Sequence, residues 1–218
     1  MELPLKIVIP NFINTVEIAV RKEIYYHKND TNLIDGCFFD KKGFLRDKQD
    51  KKLIIKKVTK VKKSFSINAN RVLFSNGTSH TTAILNAIKK SFTPYLQNLS
   101  KIEDYPIRVK LYVYDTPSKN SNTYDIGNIS YLYGKAFLDL LSKGFKMSGI
   151  NLKPIILDDN VNYVTEDPQG GVFCPIEDGG NRRLLFLIAK DDDTFLEIQK
   201  DIEKNRQQLI KKWKKLEQ

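Results

Sequence analysis

Apolar and polar positions change period several times along the chain, and each change predicts an element. Leu5–Pro10 (LKIVIP) is mostly apolar and closed by a proline, which predicts a short first strand. Asn14–Tyr26 (NTVEIAVRKEIYY) mixes its apolar spacing, and a helix is expected there. Lysines crowd Phe38–Lys63. Within that stretch Leu53–Ile55 is an apolar run, and the alternating valines of Lys56–Lys63 (KKVTKVKK) predict a strand with a basic face. Ile84, Leu85, Ile88 and Phe92 stand at helical spacing in Ser79–Leu99, with a kink expected at Pro94. Arg108–Tyr114 (RVKLYVY) alternates as a half-buried strand would, and Asp115–Tyr124 reads as a polar loop.

The second half of the chain repeats this grammar. Asn128–Ser142 is apolar nearly all round, as a buried helix is. Ile155–Leu157 runs into Asp158-Asp159-Asn160, Val161–Val164 looks extended, and Arg182–Ala189 (RRLLFLIA) is a final strand. Asp192–Glu217 is a long helix with an acidic start and a basic end, Lys211-Lys212-Trp213-Lys214-Lys215. Phe195, Ile198, Ile202, Leu209 and Trp213 form a stripe that docks it, while the basic residues around Trp213 could instead grip a phosphate backbone or a partner protein. The paired glycines at 170–171 and 179–180 fit no phosphate-binding fingerprint and read as turns. The order predicts an α+β fold, a small mixed sheet packed against helices. Its main domain would span residues 1–190 with a basic insertion around 27–70, and the C-terminal helix would occupy 191–218.

Composition narrows the function. The chain has 218 residues, 41% of them hydrophobic and 28% charged, enough for one ordinary core with appendages. No apolar run approaches the roughly 20 residues that span a bilayer, so no membrane association is expected and the location expected is cytoplasmic. Cys37 and Cys174 lie far apart, and with His27 and His80 they make no zinc pattern; both cysteines are expected reduced and structural. The net charge of +10 favours a polyanionic partner. Lys56, Lys57, Lys60, Lys62 and Lys63 are then candidate DNA contacts; lysines protecting an edge strand from aggregation is the other reading.

One polar stripe interrupts the buried helix. At about 100° per residue Asn128, Lys135 and Asp139 fall within roughly 40° of one another. A lysine and a carboxylate are costly to bury unless they pair or meet a ligand; a surface i,i+4 pair would also account for them. Asp125 stands just before the helix, where a carboxylate can cap it. The adjacent Asp158 and Asp159 repel unless exposed, paired or neutralised by a cation, so they mark either an exposed loop or a metal site.

The order Asp125-x-x-Asn128, Lys135-x-x-x-Asp139, then Asp158-Asp159 resembles the RusA family of Holliday-junction resolvases, over about residues 80–190. That resemblance implies a RusA-like α+β fold and an Mg²⁺-dependent endonuclease, with Mn²⁺ as a substitute ion, acting on branched DNA as a homodimer. Members of the family include phage enzymes. Asp125, Asp158 and Asp159 would be metal ligands, Lys135 would face the scissile phosphate or orient water, Asp139 would position Lys135, and Asn128 would contact DNA. The chain departs from the family pattern at Gly127, where a second motif aspartate usually stands. It also departs in the seven-residue step from Asn128 to Lys135, where three is usual, and in a longer connection over Ser142–Pro154. The alternative is a DNA-binding or assembly protein that keeps the scaffold without catalysis.

Overall fold

A computed structural model describes residues 2–67, 77–116, 126–147, 149–166, 168–177 and 179–216, without the side chains of 66, 77–80, 126–129 and 216. In chain order the elements are β1 (Leu5–Pro10), β2 (Thr15–Tyr25), β3 (Cys37–Phe39), β4 (Leu45–Asp47), β5 (Ile55–Ser66), α1 (Gly77–Leu96), β6 (Ile107–Asp115) and α2 (Ile126–Lys143). Then follow β7 (Phe145–Met147), β8 (Ile150–Leu152), β9 (Val164–Glu166), β10 (Val172–Pro175), β11 (Arg183–Lys190) and α3 (Asp193–Leu216). The class is α+β. Two compact units divide the chain, one of residues Met1–Val16 and Ser66–Gln218, the other of Glu17–Phe65.

The larger unit is built on a mixed sheet in the order β1-β11-β6-β10, with β9 also on β6. β11 runs antiparallel to both β1 and β6, whereas β9 and β10 pair with β6 in parallel, one near each end of it. Register decides which residues share a face. Phe186 opposes Leu111 and Ile7, Leu184 opposes Val113 and Ile9, and Ile188 opposes Val109, so these apolar residues line one side. There Phe186 stacks on Phe137 of α2 at 3.7 Å and meets Phe92 of α1 edge-on at 5.8 Å. On the opposite face Tyr112, Tyr114, Cys174, Leu185, Leu187 and Ala189 pack against Phe195 and Ile202 of α3. Ile198 and Leu209 join that cluster, so α3 docks by four of the five residues read as its stripe, with Trp213 outside the cluster.

Helices on both faces explain why β6 is not half-buried as expected: its residues from Leu111 to Asp115 are all buried. Two further expectations are corrected. The segment Asn14–Tyr26 is no helix but strand β2, in which half-buried Val16, Ile18 and Val20 alternate with exposed Glu17, Ala19 and Arg21. That period of two is the strand's, and β-branched residues favour it. Val161–Val164 is mostly turn, with the N–H groups of Tyr163 and Val164 both donating to the Asn160 carbonyl.

The smaller unit has a different economy. β2 and β5 form a two-stranded ribbon, and β3 and β4 a short hairpin. Of its side chains only Cys37 and Leu45 are buried. Its turns are held by carboxylates instead. Asp40 accepts the N–H groups of Lys42 and Phe44 and pairs with Arg46 Nε at 2.7 Å, and that Arg46 bond holds its carboxyl below the usual range. Asp47 accepts the N–H groups of Gln49 and Asp50. The compact unit starts at residue 17 and ends at 65, where an insertion around 27–70 was expected, because β2 belongs to the ribbon. Among the described residues no helix is long and apolar enough to cross a membrane.

Candidate functional site

The polar stripe of α2 meets the acidic turn at one end of the helix. Asp139, 8% exposed, is held by Lys89 of α1 at 2.7 Å and by Lys143 at 3.1 Å. Lys143 Nζ also stands 3.9 Å from Asp159. Burial works to raise the Asp139 carboxyl, but hydrogen bonds from Lys89 and Lys143 and the nearby charge of Lys135 outweigh it, leaving the group below its ordinary value. The i,i+4 partner of Asp139 is therefore Lys143 and not Lys135, which is half-buried and contributes by charge alone.

Asp158 serves its own turn. It accepts the N–H of Asp159 at 2.7 Å and the side-chain amide of Asn160 at 2.7 Å, and these bonds keep its carboxyl low. Asp159 is the freer of the pair, with Lys143 beside it. Asp125 lies outside the described residues, as does the side chain of Asn128. Helical rise puts the Asn128 backbone about 16 Å along the axis from Asp139. The stripe thus keeps one face but is stretched, and the acidic turn joins only its Asp139 end.

A hard divalent ion needs several oxygen ligands converging on one point. At this end of α2 Asp139 is paired with Lys89 and Lys143, Asp158 is used by its own turn, and Asp159 has Lys143 at 3.9 Å. Among the described residues no group of three or more His, Cys, Asp or Glu is placed to hold a metal.

A carboxylate that sequence reasoning assigned to a loop proves to be structural. Asp115 ends β6, is 2% exposed, and is gripped by Arg182 through two parallel bonds of 2.6 and 2.7 Å. The Arg182 guanidinium lies 4.6 Å over the Phe12 ring, and the paired Asp115 raises its pKa further. Nearby, Tyr133 donates its hydroxyl to the Ile13 carbonyl, and burial pushes that phenol up. The available signal was an aspartate closing an apolar strand, with an arginine just before the strand that pairs with it.

The ribbon lysines are all exposed. Strand alternation puts Lys56, Lys60 and Lys62 on one face with Val58 and Ser64, and Lys57 and Lys63 on the other. Lys56 reaches Asp30 at 3.5 Å, and the other four have no ion pair among the described residues. The two cysteines are free and buried, Cys174 with a thiol pushed up to about 11 by desolvation.

Compared with protein-family models, with curated proteins and with solved structures, the chain gives no match, so the resolvase resemblance stands on the residues quoted for it.

Proposed function

We propose that this is a nucleic-acid-binding protein on a resolvase-like scaffold, with the β2–β5 ribbon as its contact element. One observation carries the reading: β5 presents five exposed lysines and no acidic residue, and four of those lysines have no ion pair among the described residues. At about 3.3 Å per residue the ribbon extends roughly 35 Å. The major groove of duplex DNA admits a two-stranded ribbon, and a lysine row can follow the phosphates at its edge. Gel-shift titration with linear duplex and with a four-way junction, each at several salt concentrations, tests this. Affinity should fall steeply as salt rises, because each bound phosphate releases counterions. Absence of binding at low salt would end the reading.

A metal-dependent junction endonuclease is the second reading, favoured by the approach of Asp159 to the face of α2 that carries Lys135 and Asp139. It asks for Asp125, Asp158 and Asp159 around Mg²⁺, a homodimer, and a role for Asn128 against the DNA. Labelled junction incubated with Mg²⁺, Mn²⁺ or EDTA decides it. Cleavage that Asp159→Asn abolishes while binding persists would establish a nuclease. A protein inert in every metal condition, and still inert as Gly127→Asp, leaves binding as the function.

A further inference from the structure

Two hollows adjoin along the second half of α3. One, of about 200 Å³, is lined by Trp213, Leu209, Ile176 and Asn181 among others, and the next, of about 430 Å³, by Tyr114, Arg183 and Gln208 among others. Leu209 and Lys212 line both. We propose that these hollows take consecutive bases of single-stranded nucleic acid, with the phosphate between them on Lys212. The proposal rests on the nucleic-acid reading above and extends it from duplex backbone to unpaired bases, the kind a branch point exposes.

Each hollow offers a stacking plane. Trp213 is the chain's only tryptophan and is half-buried at the groove edge. An indole face stacks on any base, so it binds without demanding a sequence. In the second hollow the Arg183 guanidinium lies 4.0 Å over the Tyr114 ring. Bases stack on such guanidinium planes as well as on aromatic rings.

Charge selects the ligand further. Lys212 at present pairs with Glu177 at 2.5 Å, with side chains 67% and 57% exposed. A bridge that open to water is worth little, and a phosphate can replace Glu177 on the ammonium. Asn181 is exposed and carries both a donor and an acceptor for a base edge. Glu177 is the only acidic side chain among the described lining residues, which also hold the cations Lys212 and Arg183. An acidic peptide would satisfy Lys212 but would have no planar groups for Trp213 and Arg183.

The lone tryptophan is its own reporter. The full chain is titrated at low salt with a ten-nucleotide oligo(dT), with a blunt duplex and with a polyglutamate peptide, while Trp213 fluorescence is followed. The oligonucleotide should quench it and the other two should not. Trp213→Ala should weaken oligonucleotide binding, read by anisotropy of a labelled strand, about five- to a hundredfold. Trp213→Phe, which keeps an aromatic face and the packing, should lose less, and Lys212→Gln should weaken binding and flatten its salt dependence. Oligonucleotide binding that leaves Trp213 fluorescence unchanged overturns the proposal, and so does equal quenching by polyglutamate. Quenching by oligo(dT) in a protein that binds no duplex would sink the ribbon reading and leave this one standing. Duplex binding that needs the β5 lysines, with no oligonucleotide quenching, would do the reverse.

Discussion

The two units of this chain solve opposite problems with neighbouring stretches of sequence. The sheet unit buries both faces of its central strands, Phe186 and Leu111 against α1 and α2, Leu187 and Tyr112 against α3. The ribbon unit buries Cys37 and Leu45, exposes Val58 at 47% and Ile55 at 39%, and keeps every lysine of β5 in water. One is organised by apolar area removed from solvent, which is where most folding free energy comes from. The other is organised by backbone pairing and carboxylate-held turns, which fix shape with little burial. A region that keeps its charged surface exposed at the expense of a core is well suited to meet something else.

The sharpest break of this contrast lies in the sheet unit. Arg182→Ala removes the guanidinium that neutralises the buried Asp115 carboxylate and should cost about 3–5 kcal/mol, read as a fall in the denaturant midpoint. The double change Arg182→Met with Asp115→Leu should recover most of that, because two apolar groups need no partners. Phe186→Ala, which empties the space between Phe137 and Phe92, should cost about 3–5 kcal/mol. Leu45→Ala should cost about 2–4 kcal/mol, but hydrogen exchange should localise the loss to residues 17–65. Loss of protection spread evenly through both units would mean that they do not differ as described.

Smaller effects sharpen the picture. Asp139→Asn removes the partner of Lys89 and Lys143 and should destabilise by about 1–3 kcal/mol at pH 7. The sign of its pH dependence follows from the depressed carboxyl. Protons bind the unfolded Asp139 first, so its contribution is complete above the unfolded value near 3.9 and fades as pH falls through the folded one. Melts of wild type and Asp139→Asn should therefore differ at pH 7 and converge as pH falls through the folded value. Smallest in stability is the change of Lys57, Lys60, Lys62 and Lys63 to Gln, expected within about 0.5 kcal/mol of wild type. In DNA binding the same variant should lower the salt slope by about 0.9 for each lysine that meets a phosphate.

Much of this architecture is legible in local pattern. The strands β1, β5 and β11, the apolar circumference of α2 and the docking stripe of α3 each follow from local side-chain pattern, which is a property of the chain alone. β2 was misread because mixed apolar spacing over eleven residues fits two periods, and only its partner β5 chooses between them. The candidate site was legible to the same extent. Lys135, Asp139 and Asn128 share a helical face by arithmetic, and the acidic pair was visible as a turn.

What those groups do was decided by residues remote in sequence. Lys89 reaches Asp139 from another helix, and Arg182 reaches Asp115 across 67 positions; Lys143 stands between Asp139 of the stripe and Asp159. Sequence determined the elements, their faces and the basic excess, because these depend on period and composition. Tertiary structure decided which carboxylates are spent on lysine and arginine and which lysines remain free in water. The reason is that a charge buried by folding must find its partner wherever packing brings one, whereas an exposed lysine needs none.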